Sequence, residues 1–130
     1  MNYHLKCGEL SYEVTPEVQK TLESVMYWCH CEKLDSAELR EAEKDRAERG
    51  EKSAYSDEEI QKLKHDVEQD ELTIRDCMDK MEEEGVPNWV GNGAMYWATT
   101  HDLRSHYFQE FFTNSEYADK QNQNAEYDNR

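Results

Sequence analysis

The sequence predicts a mainly α-helical fold with a small N-terminal β-hairpin, and three observations carry that expectation. Residues 3–14 alternate apolar and polar about a glycine. Two long stretches, opening at Pro16 and at Ser56, hold apolar side chains at helical spacing between start and stop signals. The chain is 36% hydrophobic and 35% charged, against roughly 45–50% and about 25% for a typical domain, so its core is thin and its helices face water. The expected architecture is a long antiparallel helical hairpin plus two shorter C-terminal helices. It forms one acidic domain over 1–114, followed by a disordered polar tail over 115–130.

The β-hairpin spans 2–14. With Gly8-Glu9 as a two-residue turn, Cys7 faces Leu10, Leu5 faces Tyr12 and Tyr3 faces Val14, which puts six apolar side chains on one face. His4 and Glu13, and Lys6 and Ser11, pair on the other. A lone hairpin is marginal in water, so the apolar face must rest on a helix.

Thr15-Pro16-Glu17 is a helix start: a capping hydroxyl, proline at the first helical position, and an acid at the positive end of the dipole. Val18, Leu22, Val25, Met26 and Cys29 follow at helical spacing, and Leu39 and Ala42 continue the stripe weakly. Residues 38–49 are almost all charged, with supporting pairs such as Asp45/Arg49 and Glu43/Arg46, and Gly50 can end the helix. Two readings stand: one helix over 16–50, or two helices split at Asp35-Ser36.

Ser56-Asp57-Glu58-Glu59 is a capping box, and Gly85 with Pro87 is a stop signal. Between them Ile60, Val67, Ile74 and Met81 recur every seven residues. The second seam position alternates Leu63, Asp70, Cys77 and Glu84, a heptad with half its d positions polar. Folding back at residues 50–55 sets Val67 near Leu39, Cys77 near Cys29 and Met81 near Val25. The base is then apolar and the tip charged. A helix over 56–84 is roughly 43 Å long, so the tip is expected to protrude.

A short helix is expected from Pro87. In it Gly91 and Gly93 each cost about 1 kcal/mol relative to alanine, which suggests close approach of another backbone. Thr99 or Thr100 would cap a last helix containing Leu103, Tyr107, Phe108, Phe111 and Phe112 and ending at Asn114.

The chemistry-bearing residues give little sign of catalysis. Cys29-His30-Cys31 has one-residue spacing on a predicted helix, where neighbours diverge by roughly 100°, and zinc sites usually space their cysteines by two to four. Cys7 and Cys77 could add thiols to Cys29. The plainer reading is small buried side chains, with no metal and no cofactor. His101-Asp102 and His106 match no acid–base motif. Trp89, Tyr96, Trp97 and the phenylalanines read as core rather than as a binding patch. The expectation is a non-enzyme.

Charge is the more telling feature. The formal net charge is −15, which argues against direct binding of nucleic acid or an anionic membrane and favours a basic protein surface. Nine carboxylates crowd one stretch, Asp66, Glu68, Asp70, Glu71, Asp76, Asp79, Glu82, Glu83 and Glu84, opposed there by Arg75 and Lys80 alone. Carboxylates four apart on a helix rise about 6 Å, similar in scale to phosphate spacing along a nucleic-acid strand. In size and charge, though in no motif, the chain resembles phage-encoded anti-restriction and anti-CRISPR proteins. That resemblance implies an inhibitor which occupies the nucleic-acid-binding surface of a nuclease. The alternative is an adaptor that dimerises through the heptad as a coiled coil. No apolar run reaches the length of a membrane span, and the four cysteines form no disulfide framework, so a cytoplasmic protein with reduced thiols is expected.

Overall fold

The computed structural model describes residues 2–102 and 108–122. Thr15 opens the first helix as its sequence demands: Oγ1 accepts from the Val18 N–H at 3.2 Å, with Pro16 in the first turn. Helix α1 then runs Pro16–Arg49, 34 residues without a break, about 51 Å. The split at Asp35-Ser36 does not occur. Ser36 does not cap a new helix; its hydroxyl donates to Glu32 Oε1 one turn back at 2.7 Å. Gly50, at φ +57, ends the helix, and its N–H still reaches the Arg46 carbonyl. A single 3-10 turn, Gly50–Lys52, leads to the second helix.

Helix α2 spans Asp57–Glu83. Ser56 Oγ accepts from the Glu59 N–H at 3.1 Å. Gly85, at φ +81, turns the chain out of the helix, a backbone conformation that glycine adopts without a Cβ penalty. The two helices pack antiparallel in the expected register: Cys77 lies beside Cys29, and Met81 shares a core with Val25. Ile60 and Met81 of the heptad are buried and Val67 and Ile74 half-buried.

The hairpin forms strands β1, His4–Cys7, and β2, Leu10–Glu13, with the expected pairs His4/Glu13, Leu5/Tyr12, Lys6/Ser11 and Cys7/Leu10. Its apolar face is covered only at the open end. Leu5 and Val14 are buried, whereas Cys7 and Leu10 at the turn are exposed. Tyr3 stacks on Phe112 with ring centroids 4.9 Å apart.

Helix α3 is Asn88–Thr100 and α4 is Phe108–Thr113. Thr99 and Thr100 do not cap the last helix. Their hydroxyls donate back to the Tyr96 carbonyl at 3.0 and 2.8 Å, a bond that holds threonine inside a final turn of α3. Leu103, His106 and Tyr107 lie outside the described residues. Gly91 and Gly93 do allow close approach, but of side chains rather than backbone. A Cβ on Gly91 would meet Met78 Sδ at 2.7 Å, and one on Gly93 the Tyr117 ring at 3.3 Å.

The core gathers at the base of the helical hairpin. Val18, Leu22, Val25 and Met26 of α1 meet Met81, Val90, Ala94, Trp97, Phe111 and Phe112, with Leu5 and Val14 from the hairpin.

The expected disordered tail is corrected over 115–122. Residues 117–119 run along the free edge of β1. The Lys6 N–H donates to the Tyr117 carbonyl at 2.6 Å, Ala118 bridges Leu5, and the Asp119 N–H donates to the His4 carbonyl at 3.0 Å. The buried Asn122 amide donates to the same His4 carbonyl at 2.6 Å. These are main-chain and amide bonds, which a polar composition does not forbid. Residues 123–130 lie outside the described residues.

Candidate acidic docking surface

The α1–α2 packing sorts the nine acids of α2 by burial. Glu68, Glu71, Asp76, Asp79, Glu82, Glu83 and Glu84 are exposed and Asp66 is half-buried. Asp70 is corrected as a docking residue: it is 5% exposed, because its d position in the heptad turns it toward α1. At 3.6 residues per turn, Glu68, Glu71, Asp79 and Glu82 fall within an arc of about 80°. Asp76 and Glu83 widen the arc to about 140°, and the band lies on the side of α2 away from the Ile60–Met81 seam. Over 68–83 it extends about 22 Å along the axis.

The sequence reading counted Arg75 against the acids of this stretch but placed neither it nor Leu72 on their face. Arg75 sits within the band, and Leu72, 46% exposed, projects from it. The signal was available, since 72 and 75 share the helix face of 68 and 79. Among the described residues, none of the nine acids is held in an ion pair. The ion pairs lie elsewhere: Arg46 with Asp57 and Arg49 with Asp45, both at 3.2 Å, at the tip, and Lys6 with Asp119 at 3.8 Å. The acids mark their neighbours electrostatically. Burial and then Asp76 push the Cys77 thiol up, and burial followed by Glu84 does the same to the Tyr12 hydroxyl.

The other candidates separate. Cys29 is buried, and desolvation pushes its thiol up to about 11, with Glu32 and Cys77 adding to the effect, so it is a poor nucleophile. Cys31 and Cys77 are half-buried, while Cys7 is exposed in the hairpin turn, beside Tyr117 rather than Cys29. Among the described residues, no group of three or more His, Cys, Asp or Glu is placed to hold a metal ion.

His101 stacks on Trp97, centroids 3.5 Å apart, with Nδ1 3.0 Å from the Trp97 carbonyl. Trp97, Phe111 and Phe112 are buried, Trp89 is half-buried, and Tyr96 is exposed. No helix among the described residues is long and apolar enough to cross a membrane. Comparison with family models, with curated proteins and with solved structures gives no match for this chain.

Proposed function

We propose that the acidic band of α2 occupies the basic nucleic-acid-binding surface of a partner protein such as a nuclease, and that the chain is a non-catalytic inhibitor of the anti-restriction or anti-CRISPR kind. One observation carries this reading: six exposed carboxylates share one arc of a helix braced along its opposite side by α1, and among the described residues none is held in an ion pair, with Arg75 the one basic side chain inside the arc. Like charges three and four residues apart destabilise a helix. Here the packing of α2 on α1 keeps the array in place despite that repulsion. The resulting strip has the sign of a phosphate backbone, with charges irregularly spaced on a similar length scale.

The coiled-coil alternative needs the heptad free to meet a second copy. Ile60 and Met81 are already buried and Val67 and Ile74 half-buried, so no observation favours that reading.

The test is binding to a panel of basic nucleases at stepped ionic strength. Affinity should fall steeply with salt. The combined Glu68→Gln, Glu71→Gln, Asp79→Asn and Glu82→Gln variant should bind at least about tenfold more weakly, with its fold unchanged by circular dichroism. Salt-insensitive binding, or binding lost through Leu72→Ser but kept by the amide variant, sinks the proposal.

A further inference from the structure

Partway along the α1–α2 interface, apolar packing gives way to carboxyl against carboxyl. Asp70 of α2 is 5% exposed, and its Oδ2 has no hydrogen-bond partner. Asp35 of α1 stands within hydrogen-bonding reach of that carboxyl. Glu32 of α1 and Asp66, one turn earlier on α2, add like charge around it. From α1 the Tyr27 hydroxyl and the Cys31 thiol, bonded to each other, also face Asp70. Among the described residues no lysine or arginine pairs with any of these four carboxylates, and no metal-holding group exists there.

A buried carboxylate beside another, without a cation, ionises only at a cost, and a proton on Asp70 turns the repulsion into a donor and an acceptor. It also satisfies the orphaned oxygen, since a protonated Asp70 donates where an ionised one can only accept.

We propose that Asp70 keeps its proton in the folded hairpin and donates it to Asp35 across the α1–α2 interface, and that its loss loosens the middle of the helical hairpin while the apolar base stays closed. Burial first, then Asp35, Asp66 and Glu32, push the Asp70 carboxyl up to about 7. The folded value lies above the unfolded one. The stabilisation is therefore complete below the ordinary value of 3.8 and is lost as pH rises through about 7. The hairpin is tightest in mild acid and loosest in mild alkali. Asp70 points away from the exposed acid band, so this proton belongs to the scaffold and not to the charge a partner meets.

The experiment uses the full chain. The side-chain carbonyl of Asp70 is followed by carbon-13 NMR from pH 4 to pH 9, and thermal unfolding of wild type and Asp70→Asn is compared over the same range. The introduced amide donates to Asp35 without a titrating proton, and the five histidines are common to both chains. The expected result is an Asp70 midpoint near 7. Between pH 5.5 and 8.5 the wild type should also lose roughly 5–10 °C more in Tm than the variant. Amides of 65–75 should exchange faster above neutrality, after correction for intrinsic rates, while those of 22–26 do not. An Asp70 midpoint near the usual carboxylate value overturns the proposal, and so do parallel Tm profiles in the two chains. If the variant does not fold, the NMR titration decides alone.

Discussion

The base and the tip of the helical hairpin are made from the same two helices by different physics. At the base, α1 contributes Leu22, Val25 and Met26, all fully buried, to a core shared with α2, α3, α4 and the β-hairpin. At the tip the buried apolar residues are Ala42 and Ile60, and neither belongs to that core. The turn there is held by polar bonds. Asp45 accepts from the Ser53 hydroxyl and from the Ala54 N–H at 3.2 Å, and Arg46 pairs with Asp57. The Ser53 bond above all, then the Ala54 N–H and Arg49, hold the Asp45 carboxyl below its usual range. Stability is therefore concentrated at one end of α2, and much of the free charge is carried on the outer face between the two ends.

Three substitutions would break or sharpen this contrast. Leu22→Ala, at the fully buried base, should cost about 3–5 kcal/mol, read as a lower urea midpoint for the whole domain. Ile60→Ala removes the same kind of surface near solvent and outside the main core, and should cost about 2 kcal/mol. An equal loss at both sites would mean that the tip carries as much of the stability as the base. Asp45→Ala should leave the global urea midpoint almost unchanged, and should speed amide exchange at Ser53 and Ala54. Because the Asp45 value is depressed in the folded state, its contribution is present at neutral pH and is lost as pH falls through the carboxylate range. The Ser53 and Ala54 exchange rates of wild type and variant should therefore converge in acid.

Much of this was legible in the residues. Alternation about Gly8 gave both strands and their register, because a one-residue slip would turn Leu5 and Tyr12 to the wrong face. The capping signals at Thr15 and Ser56 and the glycines at 50 and 85 placed the ends of both helical stretches to within a residue or two, while the continuity of α1 through Asp35-Ser36 stayed open. The same antiparallel register that joined Cys77 to Cys29 also carried Asp70 toward Asp35, and the polar d position was the visible sign. The place of Asp70 in a run of acids points outward, whereas its heptad position turns it inward. Burial depends on the neighbouring helix, which composition does not show. The role of Thr99 and Thr100 was not legible either, since a threonine can cap the next helix or bond back into its own. Residues 115–122 left little pattern because main-chain and amide bonds attach them to β1, and the Tyr117 ring packed against the core is a single large side chain with no periodicity to announce it.

The Asn122 amide and the His4 carbonyl are separated by 118 residues along the chain, and this sets an order of assembly. The helical hairpin joins nearer neighbours and can close while later residues are still being added. The outer edge of β1 must wait until residues 117–122 have emerged from the ribosome. Until then it offers unpaired N–H and C=O groups to any passing strand, so a nascent chain arrested before residue 117 leaves that edge open to aggregation.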